Sequence, residues 1–432
     1  MSTIIVNCGE IAHLSTGDIT KPISGHKMLD KESLVYPKGN AILIKNGKIS
    51  LIDNNDAILD EYIPWYVGGN ISKNGYNIID ADGKAIIPGL VDSHNHLVWS
   101  GDRSNELSLR QAGNSYLDIA KLGGGIKKTV QSTRNSSFSE LLSKATERLE
   151  IAIMYGTTAL EAKSGYGLCN ETEEMILKVI SSVEQKSNCK VFPTWLGAHD
   201  IPEGKSRKGY LEELIHEQLP NIYKNKLAKW VDVFCEPGWF TIDETELIVK
   251  ASQEMGLSSR LHVDEFVDSG GLSLAAELGS SSGDHVAFSS DESRSLATKL
   301  GTMQTFLPGT PYVLGKEINL PIQKCIDESW NFSIATDFNP NYPSLSMPFV
   351  GSLLSHRLNI NPLVSLIAST RNPATSLFDS DQMRGSLSIG SPADLNIISS
   401  SFIDGWCQTT GINPINKTMI AVSYKNLRAH ET

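Results

Sequence analysis

Eight short apolar runs, at residues 90–94, 157–162, 191–198, 231–235, 259–262, 283–287, 302–307 and 332–335, alternate with longer stretches of helical periodicity, and this constrains the fold most. A strand covered on both faces reads as a near-continuous apolar run, and strands that alternate with helices pair in parallel. A closed set of eight such units takes ~250 residues or somewhat more, which residues 88–383 supply. The expected fold is α/β, a (β/α)8 barrel of the TIM type.

The two ends of the chain read differently. Residues 4–8, 41–45 and 48–53 are strand-like, and Asn46-Gly47 between the last two is a hairpin turn signal. Residues 11–38, rich in Gly, Ser, Pro and charge, read as a surface excursion. After the barrel, Gly385-Ser-Leu-Ser-Ile-Gly390-Ser-Pro-Ala-Asp394 and the apolar residues up to Ile398 return to short strands and tight turns. Residues 1–87 and 384–432 are therefore expected to build one composite β-sandwich beside the barrel.

Composition narrows the partners. A net charge of -11, without Lys/Arg-rich runs, argues against nucleic acid or an anionic membrane surface. An anionic substrate then needs a local cation. Six cysteines with no Cys-x-x-Cys pair suit reduced, buried thiols. No basic-then-apolar leader and no run of ~20 apolar residues is present, so the cytoplasm is the expected compartment. Partners expected are a small anionic substrate and, at most, a second copy of the chain as a homodimer, with neither nucleic acid nor membrane.

In a parallel barrel, catalytic groups sit at the C-terminal strand ends. Those ends carry His94 and His96, then Glu161, Lys163 and Tyr166, then His199 and Asp200, then Cys235 and Glu236. The fifth run closes in His262-Val-Asp264-Glu265, the sixth holds Asp284-His285, and the eighth closes in Thr336-Asp337-Phe-Asn339. Five of the ten histidines fall at these positions; the others, His13, His26, His216, His356 and His430, are assigned no role. Imidazoles two apart on a strand share a face, and three imidazoles with one carboxylate suit Zn²⁺ or Fe²⁺ while leaving a position open, as catalytic sites require. A metal lowers the pKa of its water from about 15.7 toward ~7, so metal-assisted hydrolysis of an amide-like bond is the expected chemistry. Gly123-Gly-Gly125 lacks the Gly-Lys-Ser/Thr of a phosphate cradle and reads as a lid or a close backbone approach.

The run Pro88-Gly-Leu-Val-Asp-Ser-His94-Asn-His96 resembles the first-strand motif of the amidohydrolase superfamily, and Gly385 to Asp394 resembles its return strand. Within it, the chain is similar to the imidazolonepropionase family. The resemblance is carried by Gly101-Asp102-Arg103, Gly123-Gly-Gly125-Ile-Lys, Lys163-Ser-Gly-Tyr166-Gly-Leu, Leu196-Gly-Ala-His199, Val233-Phe-Cys-Glu236, His262-Val-Asp-Glu265-Phe and Ala335-Thr-Asp337-Phe-Asn339-Pro, in order across nearly the whole chain. It implies opening of the ring of 4-imidazolone-5-propanoate to N-formimidoyl-L-glutamate in histidine degradation. It further implies one Zn²⁺ or Fe²⁺/Fe³⁺ ion per chain held by His94, His96, His262 and Asp337, with Arg103, Tyr116, Tyr166, His199, Glu265 and Asn339 around the substrate. Some superfamily members use a carboxylated barrel lysine to bridge two metals; the context of Lys163 favours a mononuclear site.

Under this resemblance His285 stabilises the oxyanion, Asp337 and Glu265 handle protons, and Arg103 offers its planar fork to the propionate. Which carboxylate is the principal base stays open. Where many members have Gly and a small hydroxyl residue after the Asp-Phe-Asn-Pro run, this chain has Asn341-Tyr342, so side-chain contacts there do not carry over. The rival reading is another mononuclear amidohydrolase or aminohydrolase, acting on a nucleobase-like ring.

Overall fold

The computed structural model describes residues 2–114 and 116–421. Its centre is an eight-stranded parallel sheet in strict chain order: Leu90–Asp92, Thr157–Lys163, Lys190–Ala198, Trp230–Cys235, Ser258–Val263, Ser282–His285, Met303–Phe306 and Phe332–Ile334. Every expected run forms a strand. The alternation of strand and helix forces parallel pairing, and the barrel closes through a parallel bridge between Asn95 and Phe338. Asp92 reinforces the seam: Oδ1 accepts from Thr336 N at 2.9 Å, and Oδ2 accepts from Thr336 Oγ1 at 2.6 Å and Asn95 Nδ2 at 2.9 Å. The seam thus lies directly beneath the metal-type residues of both strands.

Helices between the strands bury one face against the barrel. The helix Phe138–Met154 opens with a capping box, Ser137 Oγ accepting from Glu140 N while Glu140 accepts from Ser137 N, and Thr241 with Glu244 does the same for Ile242–Glu254. Among the described residues no helix is long and apolar enough to cross a membrane.

Two five-stranded sheets stand beside the barrel. One runs Lys48–Asn54, Asn40–Lys45, Ser2–Val6, Tyr76–Asp80, Ile71–Lys73. The expected hairpin is present, with positive φ at Asn46 (53°) and Gly47 (72°), as its two-residue turn requires. The other joins both chain ends: Ile415–Met419, Leu395–Ile398, Ile86–Pro88, Ile11–Ala12, Val35–Tyr36. Ile5, Ile42 and Ile79 of the first sheet share one apolar core with Ile11, Ile86 and Leu395 of the second.

The surface excursion expected at residues 11–38 is not what forms. Ile11–Ala12 and Val35–Tyr36 are strands of the second sheet, and Leu14, Ile23, Met28 and Leu34 are buried in the barrel's own core cluster. The guanidinium of Arg371 anchors the segment, donating to the carbonyls of Leu14 and Thr16 at 2.7 Å, Asp18 at 2.6 Å and Lys21 at 3.1 Å. One buried cation satisfies four loop carbonyls, so the segment is pinned to the barrel through its carbonyls and apolar side chains while its charged residues stay in solvent.

Candidate active site

The barrel brings the ionisable strand ends to one point. The ring of His94 lies 4.4 Å from that of His262, 5.4 Å from His96 and 5.5 Å from His285, centroid to centroid. Asp337 Oδ1 is 3.6 Å from His94 Nε2 and 3.7 Å from His96 Nε2. Ligand atoms ~2.1 Å from a shared ion at tetrahedral angles stand about 3.4 Å apart, so these separations fit atoms meeting at an ion rather than bonding one another. His94 Nε2 is buried and has no hydrogen-bond partner among the described residues, an orphan that an ion at this point would satisfy. Two overlapping sets, His94–His262–His285 and His94–His96–Asp337, converge tightly enough to hold one. The centre is a His-rich candidate metal site.

The imidazoles are aimed from behind. Asp284 Oδ2 lies 2.7 Å from His94 Nδ1, and Asp232 Oδ2 lies 2.8 Å from His262 Nδ1. A carboxylate hydrogen-bonded to Nδ1, as Asp284 is to His94, directs the opposite Nε2 at the metal position. Burial holds His94, His96 and His262 well below the usual imidazole range, which leaves them in the neutral, ligating form. Burial alone would depress the Lys163 ammonium, but Asp232, Glu161 and Asp284 outweigh it and push its pKa up.

The groups facing the metal position carry the proton chemistry. Glu265 Oε2 is 3.6 Å from His285 Nε2. Burial, aided by the charges of Asp337 and Glu236, lifts the Glu265 carboxyl well above its ordinary range. Burial pushes Asp337 up to about 7 and His285 down to about 3. Thr310 Oγ1 donates to Asp337 Oδ2 at 2.6 Å, leaving Oδ1 toward the histidines. His285 and Asp337 both have positive φ, 74° and 51°, the backbone strain that collects at functional sites. A cavity of about 140 Å³ opens beside them, walled by Phe266, Phe288 and Leu314, with Glu265 and His285 at one side and Lys316 in its lining.

No family model matches the chain. Proteins named imidazolonepropionase do: that of Symbiobacterium thermophilum is 35% identical over 403 residues, 92% of this chain and 91% of that protein. The Haloarcula marismortui protein of the same name is 35% identical over 371 residues, 86% of each chain. The chain belongs to the imidazolonepropionase family. Solved structures agree on the fold: a 5-methylcytosine deaminase from Klebsiella pneumoniae superposes with a TM-score of 0.68 at 14% identity, covering 98% of this chain and 97% of that one. An adenosine deaminase from Xanthomonas campestris with bound zinc gives 0.64 at 15% identity, covering 97% and 91%.

Against the expectations for an imidazolonepropionase, the structure gathers most of the assigned side chains. Tyr166 and His199 join the centre, their rings 5.7 Å and 5.3 Å from that of His96. The loop that carries Tyr166 is clamped on both sides: Glu173 accepts from the backbone N–H of Gly165, Gly167 and Leu168, and Arg134 donates to the carbonyls of Gly167 and Leu168. At Gly165, with φ 106°, a Cβ would stand 2.9 Å from His199 Nδ1.

Two assigned residues are engaged differently. Arg103 is buried in a bidentate pair with Glu106, and the Asn339 side chain organises its own turn. Asn339 Nδ2 donates to Asp337 O at 2.7 Å, while Oδ1 accepts from Asn341 N at 2.8 Å and Tyr342 N at 3.1 Å. Asn341 takes a hydrogen bond from Arg110, and the Tyr342 ring fills the space where a Cβ on Gly309 would sit. Tyr116 begins the helix Tyr116–Lys121, but its side chain lies outside the described residues.

Sequence reasoning missed Glu106, Thr310, and the roles of Asp232 and Asp284. A signal existed for Asp232: a lone carboxylate in the middle of Trp230–Cys235, a run otherwise apolar and buried throughout, demands a partner.

Proposed function

We propose that this chain hydrolyses the ring amide of 4-imidazolone-5-propanoate to N-formimidoyl-L-glutamate, a step of histidine degradation, with one Zn²⁺ or Fe ion held by His94, His96, His262 and Asp337. The observation that carries the reading is the pair of overlapping sets His94–His262–His285 and His94–His96–Asp337, with Glu265 beside His285, in a chain 35% identical to an imidazolonepropionase over 92% of its length. Unpaired cysteines favour a cytoplasmic setting.

The metal, when bound, activates water and polarises the ring carbonyl. Asp337 accepts a proton from the attacking water and returns it to the departing ring nitrogen, so that the C–N bond breaks without leaving an amide anion. Glu265 holds a ring N–H. His285, kept neutral by burial, donates an N–H to the oxygen on which charge develops. Tyr166 and His199 wall the ring, and Arg103, held by Glu106, meets the propionate.

The test is product analysis with freshly prepared imidazolone propionate, expected to yield N-formimidoyl-L-glutamate. A rival reading, an aminohydrolase of a neutral nucleobase-like ring, uses the same metal set, and the pairing of Arg103 with Glu106 favours it by offsetting the cation's charge. Ammonia released from such a ring, with imidazolone propionate left unopened, would establish the rival.

A further inference from the structure

Lys163 ends the second barrel strand, two residues after Glu161 and on the same face. Its side chain has no solvent exposure, and it faces carboxylates from three strands. Nζ is 2.8 Å from Asp232 Oδ2, 3.1 Å from Glu161 Oε1 and 3.6 Å from Asp284 Oδ2. Two of those oxygens also stand close to imidazoles: Asp284 Oδ2 is hydrogen-bonded to His94 Nδ1 at 2.7 Å, and Asp232 Oδ2 is at ion-pair distance, 2.8 Å, from His262 Nδ1. Arg260 also bears on Asp284, with Nη2 3.9 Å from Oδ1, but it reaches the other oxygen of that carboxylate and donates to the carbonyls of Ser93 at 3.0 Å and Ser376 at 3.2 Å.

We propose that Lys163 is a positioning residue that couples the carboxylate partners of His94 and His262, so that two imidazoles from different strands are aimed at the metal position as one unit. The inference rests on the reading that both histidines are ligands. Two carboxylates in a dry interior repel each other, and the ammonium between them removes that repulsion while fixing which oxygen each presents. Take the ammonium away and each carboxylate can rotate or swing, turning its imidazole with it. An ammonium that only balanced buried charge would affect stability and leave the aim of the imidazoles unchanged.

The experiment measures Zn²⁺ affinity by competition with a chromophoric chelator on the full chain. Lys163→Met, shown folded by circular dichroism, is expected to bind Zn²⁺ about 10- to 100-fold more weakly, the usual cost of losing an outer-shell partner. A folded variant whose affinity stays within about threefold of the unchanged protein overturns the proposal. Should Lys163→Met fail to fold, a cycle of Asp232→Asn, Asp284→Asn and the double variant decides it. Coupling through one ammonium predicts that the double variant departs by at least about threefold from the product of the single effects, as members of one ion-pair network do. Effects that multiply independently overturn it. His262→Ala separates the underlying reading: if it binds Zn²⁺ as tightly as the unchanged protein, the ligand assignment itself fails, and the coupling with it.

Discussion

The guanidinium of Arg103 meets the carboxylate of Glu106 fork to fork, Nε 2.9 Å from Oε1 and Nη2 2.8 Å from Oε2. Glu106 Oε1 also accepts from Gly125 N at 2.8 Å, so one buried carboxylate ties Arg103 to the start of the helix Gly125–Arg134. A cation fixed in this way is oriented for a carboxylate but shares its charge. Arg103→Ala is expected to lower kcat/KM for imidazolone propionate by about 2 to 3 kcal/mol, the worth of a charge-assisted bidentate contact. A ring without the tail should lose little. Equal losses for both in steady-state kinetics would make Arg103 a structural residue. Glu106→Gln, which loosens the fork, should act mainly on KM.

His285→Ala is expected to cut kcat about 100-fold or more, the loss of one oxyanion donor, while metal content stays near one per chain. His94, His262 and His285 converge closely enough to share an ion, so elemental analysis of this variant is decisive. Loss of the metal would make His285 a ligand.

Removal of the metal should abolish activity, and Zn²⁺ or Fe²⁺ should restore it at one equivalent per chain. His96→Ala should need more metal for that recovery, since only three of the four assigned ligands remain, and Asp337→Ala should prevent it, since it also removes the proposed proton acceptor. Two tightly held ions in fully active enzyme would contradict the assignment and return Lys163 to the list of bridging groups.

Glu236 gives the protein a pH signature. Its carboxyl accepts from the backbone N–H of Glu265, and burial pushes its pKa up from the ordinary carboxyl range to about 7. The fold favours the neutral acid, so this contribution to stability is full below the unfolded pKa and is lost as pH rises through 7. Glu236→Gln, neutral at every pH, should therefore stabilise the metal-free protein at pH 8 relative to pH 5, by at most about 3 kcal/mol at 1.36 kcal/mol per pKa unit. Thermal melts at the two pH values check this. Equal shifts would mean that Glu236 ionises normally.

Arg371→Met is expected to destabilise the fold by about 3 to 5 kcal/mol, because it strips the donor from four loop carbonyls at once. Denaturant unfolding measures it. A change below about 1 kcal/mol would mean that water replaces the guanidinium at little cost.

By itself the sequence determined the barrel and the residues at its mouth. Strands buried on both faces leave uninterrupted apolar runs, and parallel pairing puts their C-terminal ends, with His94, His96, His262, His285 and Asp337, on one rim. Local patterning is enough for that, because the period and the chain order are written residue by residue. Tertiary structure alone decided the rest. The anchoring of residues 11–38 to the barrel runs through Arg371, more than three hundred positions away. The aim of His94 and His262 depends on Asp284 and Asp232, which sit on other strands, and on Lys163 between them. That is a property of distance in the folded barrel, and spacing along the chain does not encode it.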